Sequence, residues 1–165
     1  MRTHKNCLVC KRINLIKKGK NPYFVKELKT GYVVLGDYQY YKGYSLLLCK
    51  KHTSELHKLT SKFRIKFLEE MCLLAEAVYK GFRPEKLNYE LLGNAYAHLH
   101  WHIFPRHKND KDKNSVTWVT DKSIRYSEKA KPSKQELKRF KIRLLAQINK
   151  LEKVGVVVEG KNLLG

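Results

Sequence analysis

The chain predicts an α+β domain: a mainly antiparallel sheet with one long central helix and an additional basic helix near the C-terminus. Three observations lead there. Short apolar runs separated by turn-forming residues fill positions 22–49, the pattern of an antiparallel meander. Two long stretches carry apolar residues at helical spacing. Between them, Ala97 to Arg106 alternates histidine with apolar residues, the period of a strand with one face in the core.

A chain of 165 residues with ordinary apolar content can bury a real core as a single domain. A formal charge of +20 raises the local concentration of polyanions such as nucleotides or nucleic acid, although a solvated lysine-rich surface has the same composition. Four cysteines without an apolar leader after Met1 point to a reducing, cytoplasmic setting. No apolar run approaches the roughly 20 residues of a membrane span.

In chain order, Cys7-Leu8-Val9-Cys10 comes first. This Cys-x-x-Cys pair suits half of a tetrahedral zinc site, or a redox pair, and Ile13 to Gly19 follows as a basic connector. Pro22–Leu28, Tyr32–Leu35 and Tyr44–Cys49 read as strands. The polar aromatic loop Asp37 to Tyr41 lies between the second and third, suited either to stacking on a base or to covering a sheet edge. Past Lys50, a short helix is expected with Thr53 or Ser54 as its cap. The long helix spans about Ser61 to Lys80, with Phe67, Leu68, Met71, Leu74, Ala75 and Val78 as its apolar stripe, Cys72 on or near it, and Gly81 as terminator.

Leu87–Leu92 reads as a strand, Gly93–Tyr96 as a turn, and Ser115–Val119 as a short strand or a segment packed across the sheet. Ser133-Lys134-Gln135-Glu136 fits a capping box. The helix after it places Leu137, Phe140, Leu144, Ile148 and Leu151 on one side and cations on the other, a solvated face or a surface for nucleic acid. Val156–Val158 is a last candidate strand.

The histidine row is the chemical signal. His98, His100 and His102, three of the seven histidines, should share one sheet face while Leu99, Trp101 and Ile103 enter the core. Three imidazoles in register are hard to explain by packing, because each brings nitrogens that need partners. Imidazole serves as nucleophile, proton donor or metal ligand near neutral pH. The sequence holds no P-loop or dinucleotide fingerprint.

His98-Leu99-His100-Trp101-His102-Ile103-Phe104-Pro105-Arg106 resembles the motif of the histidine triad (HIT) superfamily. The likeness runs back through Gly93-Asn94, the long helix and Lys42-Gly43 to the N-terminal Cys-x-x-Cys, so it covers a HIT-like core at about residues 5–107 and leaves 108–165 as a C-terminal extension carrying the basic helix. The resemblance implies an enzyme, a nucleotide hydrolase or transferase acting at the α-phosphate of dinucleoside polyphosphates, such as diadenosine tetraphosphate, or of nucleoside phosphoramidates. It also implies a homodimer.

Carried over position by position, the resemblance makes His100 the nucleophile and His102 a contact for the phosphate or the leaving group. It makes Asn94, where many relatives have glutamine, a phosphate ligand, and Asp37 a ribose contact. Relatives commonly begin the third strand with Gly-His. Here the pair is Gly43-Tyr44, which puts a tyrosine at a substrate-binding position. A subset of the family binds structural zinc, and the matching ligands are Cys7, Cys10, His52 and His98, with Cys49 as an alternative to His52.

Overall fold

The computed structural model describes residues 6–154. Helix α1, Leu8–Lys17, precedes strands β1 (Phe24–Glu27), β2 (Gly31–Leu35) and β3 (Ser45–Cys49). Helix α2, Ser61–Phe82, leads to β4 (Lys86–Glu90) and β5 (His100–Arg106). A short α3 (Lys122–Arg125) and the long α4 (Lys134–Val154) follow. The five strands form one sheet in the order β1-β2-β3-β5-β4, antiparallel at every pairing. This is the α+β architecture that the alternation of short apolar runs and helical stretches predicts.

Each sheet face is covered by helix. Val33, Leu35, Leu47 and Ile103 are fully buried beneath Phe67, Leu74 and Val78 of α2 and Phe140, Leu144 and Ile148 of α4. A buried aliphatic side chain of this kind contributes about 1.5–3 kcal/mol. On the other face, Tyr32, Val34 and Leu48 meet Val9, Cys10, Ile13 and Ile16 of α1. Leu48 pairs with His100 and Leu46 with His102, so both histidines stand on the α1 side.

Several local expectations give way to tertiary structure. Residues 13–19 are not a connector: Val9, Cys10, Ile13 and Ile16 recur at helical spacing and bury, so the segment is helical to Lys17. Gly81 does not end α2. Phe82 packs edge-on against Phe140 at 5.3 Å, and the helix closes one residue later at Arg83, in the left-handed region with φ 52°. The absent side chain of Gly81 instead faces Arg143 and Gln147 of α4.

The turn after β3 is a 3₁₀ segment, Leu56–Lys58, preceded by Glu55 rather than capped by Thr53 or Ser54. Thr117–Val119 is also 3₁₀, with Thr117 buried and donating its hydroxyl to Glu90 at 2.7 Å, so it adds no strand. Cys72 is exposed, because Phe67, Leu74 and Val78 set the buried side of the helix away from it. The expected strand at Val156–Val158 lies outside the described residues.

Two buried polar clusters close the fold. Glu70 of α2 accepts from the backbone amides of Lys29 and Thr30 at 2.8 and 2.9 Å and from the Thr30 hydroxyl, capping the β1–β2 turn. Arg106 ends β5 and is 2 % exposed. Its guanidinium donates to Asn88 at 2.9 Å, to the Ser115 carbonyl at 2.6 Å, and to both the side chain and the carbonyl of Asp112. It also lies 4.9 Å from the Tyr41 ring centroid, and the Tyr41 hydroxyl donates to Asp112. The chain after the sheet is thereby fastened to it. Arg106→Met should cost about 3–5 kcal/mol in urea denaturation, because it leaves the largely enclosed Asp112 carboxylate without its cation.

Candidate functional site

β5 begins at His100, one turn of the alternation later than the sequence suggests, yet the pairing reaches further back. The Cys49 amide donates to the Leu99 carbonyl at 3.1 Å and the Leu99 amide to the Thr53 carbonyl at 2.8 Å. His98 therefore sits at the mouth of the strand, fully buried.

There it meets three other residues. Cys7 Sγ and Cys10 Sγ stand 3.5 and 3.4 Å from His98 Nδ1, Cys10 Sγ stands 3.3 Å from His52 Nδ1, and the two imidazole Nδ1 atoms are 3.2 Å apart. All four ligand atoms lie within 4.8 Å of one another. Around a tetrahedral ion with metal–sulfur and metal–nitrogen bonds of about 2.3 and 2.0–2.1 Å, such atoms would be roughly 3.3–3.8 Å apart. The set therefore fits a metal ion. His98 Nε2 is 2.8 Å from the Cys49 carbonyl and donates to it, which keeps the proton off Nδ1 and aims a lone pair into the cluster. Cys49 thus contributes its carbonyl; its buried thiol is pushed up to about 11 by desolvation.

Two residues further, His100 Nδ1 donates to the His98 carbonyl at 2.6 Å. That leaves Nε2 with the lone pair. His102 lies beside it with ring centroids 4.6 Å apart. Burial lowers His100, against a smaller upward pull from its bond to the His98 carbonyl. Burial, with His100 nearby, pushes His102 down to about 3. Both imidazoles are neutral at pH 7. A cleft of about 310 Å³ opens beside His100, walled by Arg64, His57 and the chain at 91–93.

Tyr44 reaches His102, its hydroxyl 2.6 Å from His102 Nδ1. Asp37 is turned to Arg12 of α1, which clamps both its carboxylate oxygens. The ion pair raises Arg12 above its ordinary value. Asn94 lies exposed in the connection before His98, with no side-chain hydrogen bond to the histidines. The structure therefore brings Cys7, Cys10, His52 and His98 together, and separately His100, His102 and Tyr44. Sequence reasoning missed Arg12, Arg64 and the Cys49 carbonyl. Arg12 leaves a trace only in hindsight, one helical turn from the buried Val9 and Ile16.

The HIT domain family matches residues 22–109. The chain belongs to that family. Among solved structures, this HIT chain is similar to a histidine triad protein from Sinorhizobium meliloti 1021, with TM-score 0.66 and 21% identity, covering 82% of this chain and 93% of that one. A hypothetical histidine triad nucleotide-binding protein from Sulfolobus tokodaii strain 7 gives TM-score 0.68 at 18% identity, covering 90% and 98%. A zinc-bound histidine triad family protein from Mycobacterium smegmatis gives 0.62 at 20% identity, covering 91% and 98%. No curated protein sequence matches the HIT chain. Among the described residues no helix is long and apolar enough to cross a membrane.

Two measurements probe this site. Purified protein should carry about one divalent metal per chain, and chelation or Cys10→Ser should lower Tm by roughly 10 °C, since binding energy at such a site is folding energy. In the pH titration, the folded His102 stays neutral down to about 3, whereas an unfolded histidine protonates near 6.5. The unfolded chain therefore binds the extra proton between those values, and stability is lost as pH falls through that window. His102→Gln should show a shallower loss of stability than wild type from pH 6.5 to 4.5, read from urea midpoints.

Proposed function

We propose that this HIT domain is a nucleotidyl hydrolase or transferase, in which His100 Nε2 attacks the α-phosphorus of a nucleotide. The single observation that carries the reading is the bond from His100 Nδ1 to the His98 carbonyl, which leaves an unprotonated, neutral Nε2 on a ring that lines a cleft. A nitrogen–phosphorus bond forms as the bond from phosphorus to the leaving group breaks. Water then cleaves the nucleotidyl-histidine and regenerates the free imidazole. His102 donates to the phosphate or the leaving group, and the nearby Arg64 offsets charge on the oxygens.

The substrate classes we favour are dinucleoside polyphosphates, such as diadenosine tetraphosphate, and nucleoside phosphoramidates. Asp37 serves the ribose and Asn94 the phosphate. Zinc is the metal that the two-thiolate, two-imidazole donor set best suits. Held by Cys7, Cys10, His52 and His98, it would supply a structural cross-link. It would tie α1 to the start of β5 and steady the carbonyl that orients His100. A zinc-bound relative at the level of fold supports the same reading. The protein acts as a homodimer in this proposal.

His100→Ala should reduce turnover of a dinucleoside polyphosphate by at least 10³-fold while leaving Tm and nucleotide affinity near wild type. Rapid quenching of wild type with substrate labelled at the α-phosphorus should trap acid-labile label on His100. Near-normal turnover by His100→Ala would remove this function.

A further inference from the structure

Tyr44 occupies a built seat. Its ring stacks on Phe104 with centroids 4.2 Å apart and planes 7° apart, and its other side lies against Gly36. A Cβ at Gly36 would fall 2.1 Å from Tyr44 Cδ1, so only glycine leaves room for the ring in this position. The backbone is pinned as well. The Gly36 amide donates to the Tyr44 carbonyl at 2.9 Å, the Gln39 amide group donates to the same carbonyl at 2.9 Å, and the Gln39 side-chain oxygen accepts from Gly43 at 2.9 Å. The position of this ring is therefore over-determined, and the one polar atom it carries meets His102 Nδ1.

We infer that Tyr44 is a positioning residue that selects the tautomer of His102: its hydroxyl donates to Nδ1 and leaves the ring proton on Nε2. Both groups are neutral at physiological pH, because burial raises the phenol well above its ordinary value and holds the imidazole low. Two neutral groups joined by one short bond must choose a direction. A phenol O–H is the stronger donor and an unprotonated imidazole nitrogen the stronger acceptor, so the proton stays on oxygen. The Tyr44 hydroxyl has no other hydrogen-bond partner among the described residues, so nothing competes for its proton.

The chemical consequence is specific. With Nδ1 occupied as an acceptor, His102 presents an N–H at Nε2 and can only donate there. Beside it His100 presents the opposite arrangement, a lone pair at Nε2, because its own Nδ1–H is spent on the His98 carbonyl. Two adjacent imidazoles of one strand are thus set to complementary tautomers by two different partners, one backbone carbonyl and one phenol. The His100 ring can attack phosphorus while the His102 ring hydrogen-bonds a phosphate oxygen or protonates a leaving group. A tyrosine at position 44 does this without adding a positive charge. Its kinetic effect rests on the nucleotidyl-transfer reading above; the tautomer itself does not.

The test is two-bond ¹H–¹⁵N correlation NMR of uniformly ¹⁵N-labelled protein, as purified, in wild type, Tyr44→Phe and Gly36→Ala. Wild type should show His102 as the Nε2–H tautomer with Nδ1 accepting. Tyr44→Phe should give a mixture of both tautomers. Gly36→Ala keeps the hydroxyl but displaces the ring, and should give the same mixture. With a dinucleoside polyphosphate, kcat of Tyr44→Phe should fall about 10- to 100-fold with KM within about twofold. An Nδ1–H tautomer in wild type, or the wild-type tautomer persisting in either variant, overturns the inference. Absence of turnover in wild type, with the tautomer result as expected, would instead remove the functional reading and leave this one standing.

Discussion

Convergence of Cys7, Cys10, His52 and His98 is the constraint on which the rest of the histidine face depends. These residues come from the start of α1, the segment after β3 and the mouth of β5; backbone hydrogen bonds through Leu99 join the last two, and α1 belongs to no strand ladder. Once they share a centre, His98 is fixed at both ends, its Nδ1 in the cluster and its Nε2 on the Cys49 carbonyl. Its own carbonyl is then in place to receive the proton of His100. The position of His98 in this cluster thereby determines which nitrogen of a neighbouring ring carries a lone pair. The same anchoring holds α1 over the sheet, where Arg12 reaches Asp37.

Much of this was legible in the sequence, and the reason is local. Alternation at 98–106 and apolar runs at 22–49 follow from the period of a pleated strand, which any half-buried strand must obey. The four residues of this cluster were legible through a resemblance and not through spacing, since Cys10 and His98 lie 88 positions apart. What stayed hidden depends on partners distant in sequence. α1 was obscured because Lys11, Lys17 and Lys18 dilute a buried stripe of four residues. The end of α2 was misplaced because Phe82, packed on Phe140 of α4, outweighs the usual role of Gly81. Cys72 reads as apolar from its residue type but falls outside the buried arc of its helix. Tyr44 could be seen to depart from the family pattern, but its reach to His102 needs the register of β3 against β5.

The scarcity of acids gives the electrostatics its shape. Several of the few carboxylates are consumed indoors: Glu70 holds the β1–β2 turn, Asp112 holds Arg106, and Asp37 holds Arg12. Spent this way, they do little to offset the lysines and arginines outside. α4 illustrates the outcome, burying Phe140, Leu144, Ile148 and Leu151 while Lys134, Lys138, Arg139, Arg143 and Lys150 face solvent. Its cations leave the core intact because none of them needs to enter it, and the excess positive charge becomes a property of the whole exterior.

Arg106 draws a boundary that similarity does not. The family match stops at residue 109, yet two of the acceptors that satisfy this buried guanidinium, Asp112 and the Ser115 carbonyl, come afterwards in the chain. A piece trimmed to the shared region would keep the cation and discard those acceptors. The stretch that the family model matches and the stretch that satisfies this buried guanidinium are therefore different lengths of polypeptide. For this chain the second is longer, reaching at least to Ser115.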